Sequence, residues 1–220
     1  VFLMMNDRPA CDSMGGNCFL LIKRRIFVRH KTEAKQETMF AKQITPEFYR
    51  ALAKALKSAR FTPVQEQAPK LIAENCDRFS ITDKRMFAYM LATCWHESRF
   101  KPIREFRAAE GHPVRAMQDR YWNTGYFGRG YVQLTWKKNY QIWSDITGAD
   151  LVNFPDKALE PTIAAFVLVK GMNEGLFTGK RLSQYINAER CDYFNARRTV
   201  NGVFHADIIE KAAKAIEAVL

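Results

Sequence analysis

The chain has 220 residues, 47% hydrophobic and 26% charged, enough for one sizeable core or for one domain plus an arm, and neither low-complexity nor collagen-like. Its formal charge of +11 attracts polyanions by long-range steering, which admits nucleic acid, anionic lipid and anionic cell wall and singles out none of them. The apolar run over residues 19–28 is broken by Lys23, Arg24 and Arg25. It is too short to span a bilayer, which takes about 20 residues. With charge inside the run and no small-residue cleavage site behind it, it also makes a poor signal peptide.

Residues 1–43 carry Pro9, the Gly15-Gly16 pair and a basic cluster, but no sustained period. They read as a poorly ordered arm ahead of a domain over 44–220. At Thr45-Pro46-Glu47 an N-cap, a proline at the first helical position and an acid in the first turn open the first predicted helix. Thr62-Pro63 repeats the signal for a second, which Pro69 is expected to kink or shorten. Caps at Ser80 and Thr82-Asp83 introduce a third, from Lys84 to about Ser98. Further helices are predicted over 138–147 and 161–174, closed by Gly148 and Gly175, and near 182–186, 192–199 and 206–219. Only 130–136 reads as a strand, so the class is mainly α with one small β-hairpin.

The third helix carries the first chemical signal. Residues 86–95 are almost wholly apolar, which marks a helix buried on all sides. Helical spacing sets Glu97 on the face of Met86, Met90, Thr93 and Cys94. A carboxyl at the edge of such a core is desolvated, which raises its pKa and suits a general acid near neutral pH. The plainer alternatives are a carboxylate that swings into solvent or pairs with Arg99. His96-Glu97 lacks the second histidine of a zinc-protease helix, because Phe100 stands in its place. No metal and no cofactor is expected.

Glycoside hydrolysis takes two carboxylates, and inverting enzymes hold them roughly 6.5–9.5 Å apart with a water between. Pro102 ends the helix, so Glu105 comes from a loop and is one candidate for the second; Glu110 is another. In 128–136, strand alternation would put Tyr131, Gln133 and Thr135 on one face and Val132, Leu134 and Trp136 on the core face. An aromatic, an amide and a hydroxyl together are groups that bind sugars.

Three segments, AYMLATCWHESRFKPIREF, YFGRGYVQLTWKKNY and RRTVNG, occur in that order. On them the chain resembles glycoside hydrolase family 19, the class I/II-type chitinases and their bacteriophage endolysin relatives, over roughly Thr45 to the C-terminus. The resemblance implies a lysozyme-like bilobed helical domain with a cleft between its lobes. It implies Glu97 as general acid and Glu105 as the base that activates water. It further implies substrate contacts from His96, Tyr126, Arg129, Gln133, Thr135, Asn139 and Asn201. Two features depart from the family: Phe127 stands where a second tyrosine is common, and the stretch from Glu97 to Gly128 is short, which implies a trimmed cleft and leaves Glu105 and Glu110 both open.

The expected activity is endo-acting, inverting cleavage of a β-1,4-linked N-acetylated amino-sugar polymer by a monomer. Peptidoglycan is the first expected substrate and chitin the second. A non-catalytic cell-wall sugar-binding protein on the same fold is the reading from another class. The charge suggests no specific nucleic-acid binder, since no helix-turn-helix, zinc-finger or RNP pattern is present. Cys11, Cys18, Cys76, Cys94 and Cys191 are odd in number, widely spaced and without a CxxC pair, which reads as free thiols in a reducing compartment. Cytoplasmic synthesis without classical export, and action on the wall after release, is the corresponding expectation.

Overall fold

The computed structural model describes residues 39–220. The proposed arm therefore lies outside the described residues except for its last five. The three expected helix starts all form by their expected caps. Thr45 accepts from the Phe48 amide and opens α1, Pro46–Ala55. Thr62 and Gln65 close a reciprocal capping box at the start of α2, Pro63–Arg78. Asp83 accepts from the Arg85 amide and opens α3, Lys84–Ser98. Pro69 does not shorten α2, which runs through it for 16 residues. Its ring is buried on the core-facing side with Ala68, Ile72 and Ala73, and that burial offsets the missing amide donor.

A four-residue turn of helix, α4 (Arg115–Gln118), precedes α5 (Lys137–Thr147) and α6 (Pro161–Glu174). The last two end on left-handed Gly148 and Gly175, as the sequence implies. The segment near 182–186 is a 3-10 turn, Leu182–Gln184. The 192–199 segment is α7, Tyr193–Ala196, continued by a 3-10 turn over Arg197–Thr199. The final helix is α8, Ala206–Glu217. Around α3, where every residue from Met86 to Cys94 is buried, α8 packs along its length, and α6 packs along α2. Among the described residues no helix is long and apolar enough to cross a membrane.

Two short antiparallel ladders complete a mainly α domain, consistent with the lysozyme-like class. β1 (Ile103–Arg104) pairs with β2 (Arg129–Gly130), and β3 (Ile186–Asn187) with β4 (Arg190–Cys191). The second ladder has no counterpart in the sequence reading. The strand expected over 130–136 is corrected. After Gly130 the chain turns, with Gln133 at φ 56° and Trp136 at φ 75°, and Leu134 folds back to bond the Arg129 backbone. Tyr131, Val132, Gln133, Leu134 and Thr135 are all buried, so the expected alternation of a ligand face and a core face does not exist.

The α3-to-β1 connection positions the second carboxylate. Arg99 and Phe100 both adopt the left-handed conformation, at φ 53° and 60°, which non-glycine residues occupy at a cost. Phe100 is fully buried, edge-on to Phe61 and tilted against Trp95. That anchor holds the reversal and sends the chain back toward β2.

The packed chain also starts upstream of Thr45. Phe40 is fully buried and its ring sits 4.5 Å from that of Phe87. The amides of Met39, Phe40 and Ala41 donate to the two carboxylate oxygens of Asp77. Removing a buried phenylalanine side chain typically costs about 3–5 kcal/mol. A chain beginning at Gln43 should therefore be less stable by about that amount than one beginning at Met39. Urea unfolding of the two reads this directly, and coincident midpoints would show that the 39–42 segment contributes nothing.

Candidate active site

Glu97 closes the last turn of α3 and is 6% exposed. Its Oε1 lies 2.9 Å from Nη2 of Arg197, itself 1% exposed. The two are in ionic contact, yet neither carboxylate oxygen makes an aligned hydrogen bond among the described residues. Burial pushes the Glu97 pKa up to about 7, and the Arg197 charge only partly opposes this. The helical face expected for Glu97 is buried as anticipated. Tyr89 and Thr93, eight and four residues earlier, share it, and both hydroxyls are buried without a partner among the described residues. The Tyr89 ring stacks on Tyr193, 5.7 Å away.

Glu97 neither faces solvent nor pairs with Arg99, whose guanidinium lies over Trp95. Arg197 was missed in the sequence. A buried carboxylate calls for a buried cation, but that argument names no one residue among 34 lysines and arginines. Beside Glu97, half-buried His96 sets Nε2 3.3 Å from Nδ1 of His205. Burial, then Arg197 and His205, push the His96 pKa down to about 4, so its ring is neutral at pH 7.

Glu105 follows β1, eight residues beyond Glu97, and is 5% exposed. Its environment is of another kind. Oε1 accepts from the Tyr121 hydroxyl at 2.6 Å and from Gln118 Nε2 at 2.9 Å, and Oε2 accepts from the Gly128 amide at 2.8 Å. Gly128 is required here, because a Cβ would stand 2.8 Å from Gln133 Oε1 and 3.1 Å from Glu105 Oε2. Gln133 donates through Nε2 to the Ile103 and Gly130 carbonyls, leaving Oε1 buried and unpartnered among the described residues. Tyr121 and Gln118, which orient Glu105, were not singled out in the sequence. By contrast Glu110 is exposed.

The remaining expected site residues each bond to other parts of the chain. Arg129 donates to Asp156, to the Gly125 and Phe127 carbonyls and to the Tyr140 hydroxyl. Thr135 donates to the Gln133 carbonyl, and Asn139 donates to the Thr135 carbonyl. Tyr126 donates to the Val152 carbonyl. Asn201 Oδ1 accepts from the Gly202 amide. The structure thus gathers Glu97 with His96 and Arg197, and Glu105 with Gln133, while the other named polar groups hold backbone. A shallow trough of about 800 Å³, lined by Tyr49, Lys54, Arg60 and Phe61 among others, includes neither carboxylate. Phe61 touches Trp95, on the flank of α3 opposite Glu97.

The chain carries a segment similar to a chitinase. Over 41 residues, 19% of this chain, it is 51% identical to Chitinase 11 of rice (Oryza sativa subsp. japonica), and the match spans 16% of that protein. No family model matches the chain, and no solved structure matches it.

Removal of the Arg197 charge gives a signed test of the buried pair. Folded Glu97, with its pKa raised from 4.5 to about 7, keeps a proton that the unfolded chain releases. Its contribution to stability is complete below about pH 4.5 and is lost as pH rises toward 7. Arg197→Met should raise that pKa further and extend the loss to higher pH. The variant should be destabilised by about 3–5 kcal/mol at pH 8, the usual cost of breaking a buried pair, and by clearly less at pH 5. Carboxyl-carbon NMR of Glu97 with urea unfolding at both pH values measures it; a pH-independent difference would contradict the assignment.

Proposed function

We propose that the chain is an inverting glycoside hydrolase of β-1,4-linked N-acetylated amino-sugar polymers, with Glu97 as general acid and Glu105 as general base. The observation that carries this reading is the Glu97 carboxyl, buried at the end of an apolar helix and held at a pKa of about 7. A group that still holds its proton near neutral pH can give it to a leaving oxygen. The short likeness to a rice protein named as a chitinase supports the same chemistry.

Glu97 donates its proton to the glycosidic oxygen as the C1–O bond breaks. Glu105 takes a proton from water, whose oxygen bonds C1 on the opposite face, so the new reducing end is the α-anomer. Glu97 is then ionised beside Arg197, which stabilises that charge at the moment it forms. Glu105 is held through both oxygens by Tyr121, Gln118 and the Gly128 amide, which fixes the direction of its free lone pairs. Gln133 Oε1, buried without a partner among the described residues and close to Gly128 and Glu105, is the proposed acceptor from the attacking water. Both carboxylates are covered in this conformation.

The net charge of +11 favours peptidoglycan, whose stem peptides carry carboxylates, over neutral chitin. The segment shared with Chitinase 11 favours chitin. Incubation with purified sacculi and with chitin oligomers, followed by mass spectrometry of the new ends, decides between them; no new ends from either would refute the hydrolase.

Glu97→Gln keeps the shape and removes the donor, so turnover should fall by about 10²–10⁴-fold with folding retained. Wild-type turnover should decline as pH passes about 7, where Glu97 gives up its proton. The first product, read by proton NMR before mutarotation, should be the α-anomer. A β-anomeric first product would remove Glu105 from the role of base.

A further inference from the structure

Phe204 lies in the turn between the 3-10 segment Arg197–Thr199 and α8, and it is 66% exposed. Leaving an aromatic ring in water forgoes the burial that usually places phenylalanine in a core. Here the ring is also fixed. One face stacks on His205, with centroids 3.9 Å apart and planes 25° apart. His205 is held at φ 60°, a conformation strained for a side-chain-bearing residue, and its Nδ1 meets Nε2 of His96, the neighbour of Glu97. The backbone of Phe204 is tied independently to the same place. Its carbonyl accepts from Nε of Arg197 at 3.2 Å, while Nη2 of that guanidinium faces Glu97. The ring thus stacks on a residue that meets the chain neighbour of the buried acid, and its backbone is bonded to the arginine that faces that acid. Phe106, beside Glu105 and 74% exposed, makes no ring contact among the described residues and has no such support.

We propose that Phe204 is a sugar-stacking platform that takes the apolar C–H face of the pyranose bound on the Glu97 side of the scissile bond. The proposal rests on the glycosidase reading and adds to it a residue that determines substrate affinity. A pyranose offers one face of C–H groups and an edge of hydroxyls, which matches a flat apolar ring with polar groups beside it. A ring already immobilised by His205 loses little rotamer freedom when sugar lands on it, so most of the contact appears as affinity. The platform holds substrate and transition state alike, so it acts on KM and leaves kcat alone.

The test uses the full chain and a β-1,4-linked N-acetylglucosamine hexamer. Phe204→Ala should raise KM by about five- to tenfold, the scale of an aromatic contact, with kcat within about twofold. Phe204→Trp should restore KM, and Val64→Ala, the loss of another exposed apolar side chain, should change neither constant. Calorimetric binding of the hexamer in the Glu97→Gln background reads the platform without turnover. An unchanged dissociation constant in Glu97→Gln/Phe204→Ala would overturn the platform and leave the hydrolase standing. Binding without hydrolysis by the wild type would overturn the hydrolase and leave the platform. Val203 and Ile208 are also exposed next to Phe204. If Phe204→Ala instead dissolves a dimer on size exclusion with sugar binding intact, the patch is a protein interface and the proposal is wrong.

Discussion

The buried contact between Glu97 and Arg197 is the constraint on which the chemistry at the end of α3 depends. Taking a carboxylate and a guanidinium out of water costs several kcal/mol per ion, and their attraction returns that cost only with good geometry and further hydrogen bonds. Here the geometry is incomplete, since the carboxylate oxygens and Nη1 of Arg197 lack aligned partners among the described residues. Well-packed apolar residues in both positions would be at least as stable on the same principle. The pair is therefore poorly explained as a stabilising device; burial favours the protonated carboxyl, Arg197 favours the ionised one, and the proposed acid role uses both. Tyr89 and Thr93, polar and unpartnered among the described residues on the same helical face, extend the polar strip into an otherwise apolar helix.

The surroundings of the two carboxylates differ, as the proposed acid and base roles would require. Glu97 has burial and one cation; Glu105 has three donors fixed on its two oxygens. Identical groups in contrasting surroundings are how one site obtains both a proton donor and a proton acceptor. The chain between them is short, and its course depends on two consecutive left-handed residues, Arg99 and Phe100. Phe100 bears that strain because its ring is locked between Phe61 and Trp95 in the core. Backbone strain at the end of α3 is thus offset by aromatic packing on the opposite flank of the helix.

Much of this was legible in the sequence where local chemistry decides. Caps at Thr45, Thr62 and Asp83 and stops at Gly148 and Gly175 act within one turn, so they can be read from a few neighbours. Helical period set Glu97 on the buried face, but it left a solvent-facing or Arg99-paired carboxylate open until the fold placed the side chain. What escaped were pairings across the chain. Arg197 meets Glu97 from 100 residues away, and Phe40 meets Asp77 and Phe87 from a segment without any period. The 130–136 segment failed for a different reason. Its polar and apolar residues alternate as in a half-exposed strand, but both sets are buried, and alternation carries no information where there is no exposed face.

That two-sided burial explains why so many polar side chains of the segment bond to backbone. A turn buried on all sides must satisfy its own amides and carbonyls. Thr135 and Asn139 do so in sequence, Thr135 on the carbonyl of Gln133 and Asn139 on the carbonyl of Thr135, while Arg129 caps the carbonyls of Gly125 and Phe127. The outcome of this internal bonding is that Gln133, at a left-handed φ of 56°, has its amide fixed beside Gly128 and Glu105. The side-chain amide itself is tied to the Ile103 and Gly130 carbonyls, so the turn and β1 together hold Gln133 near the Glu105 carboxylate.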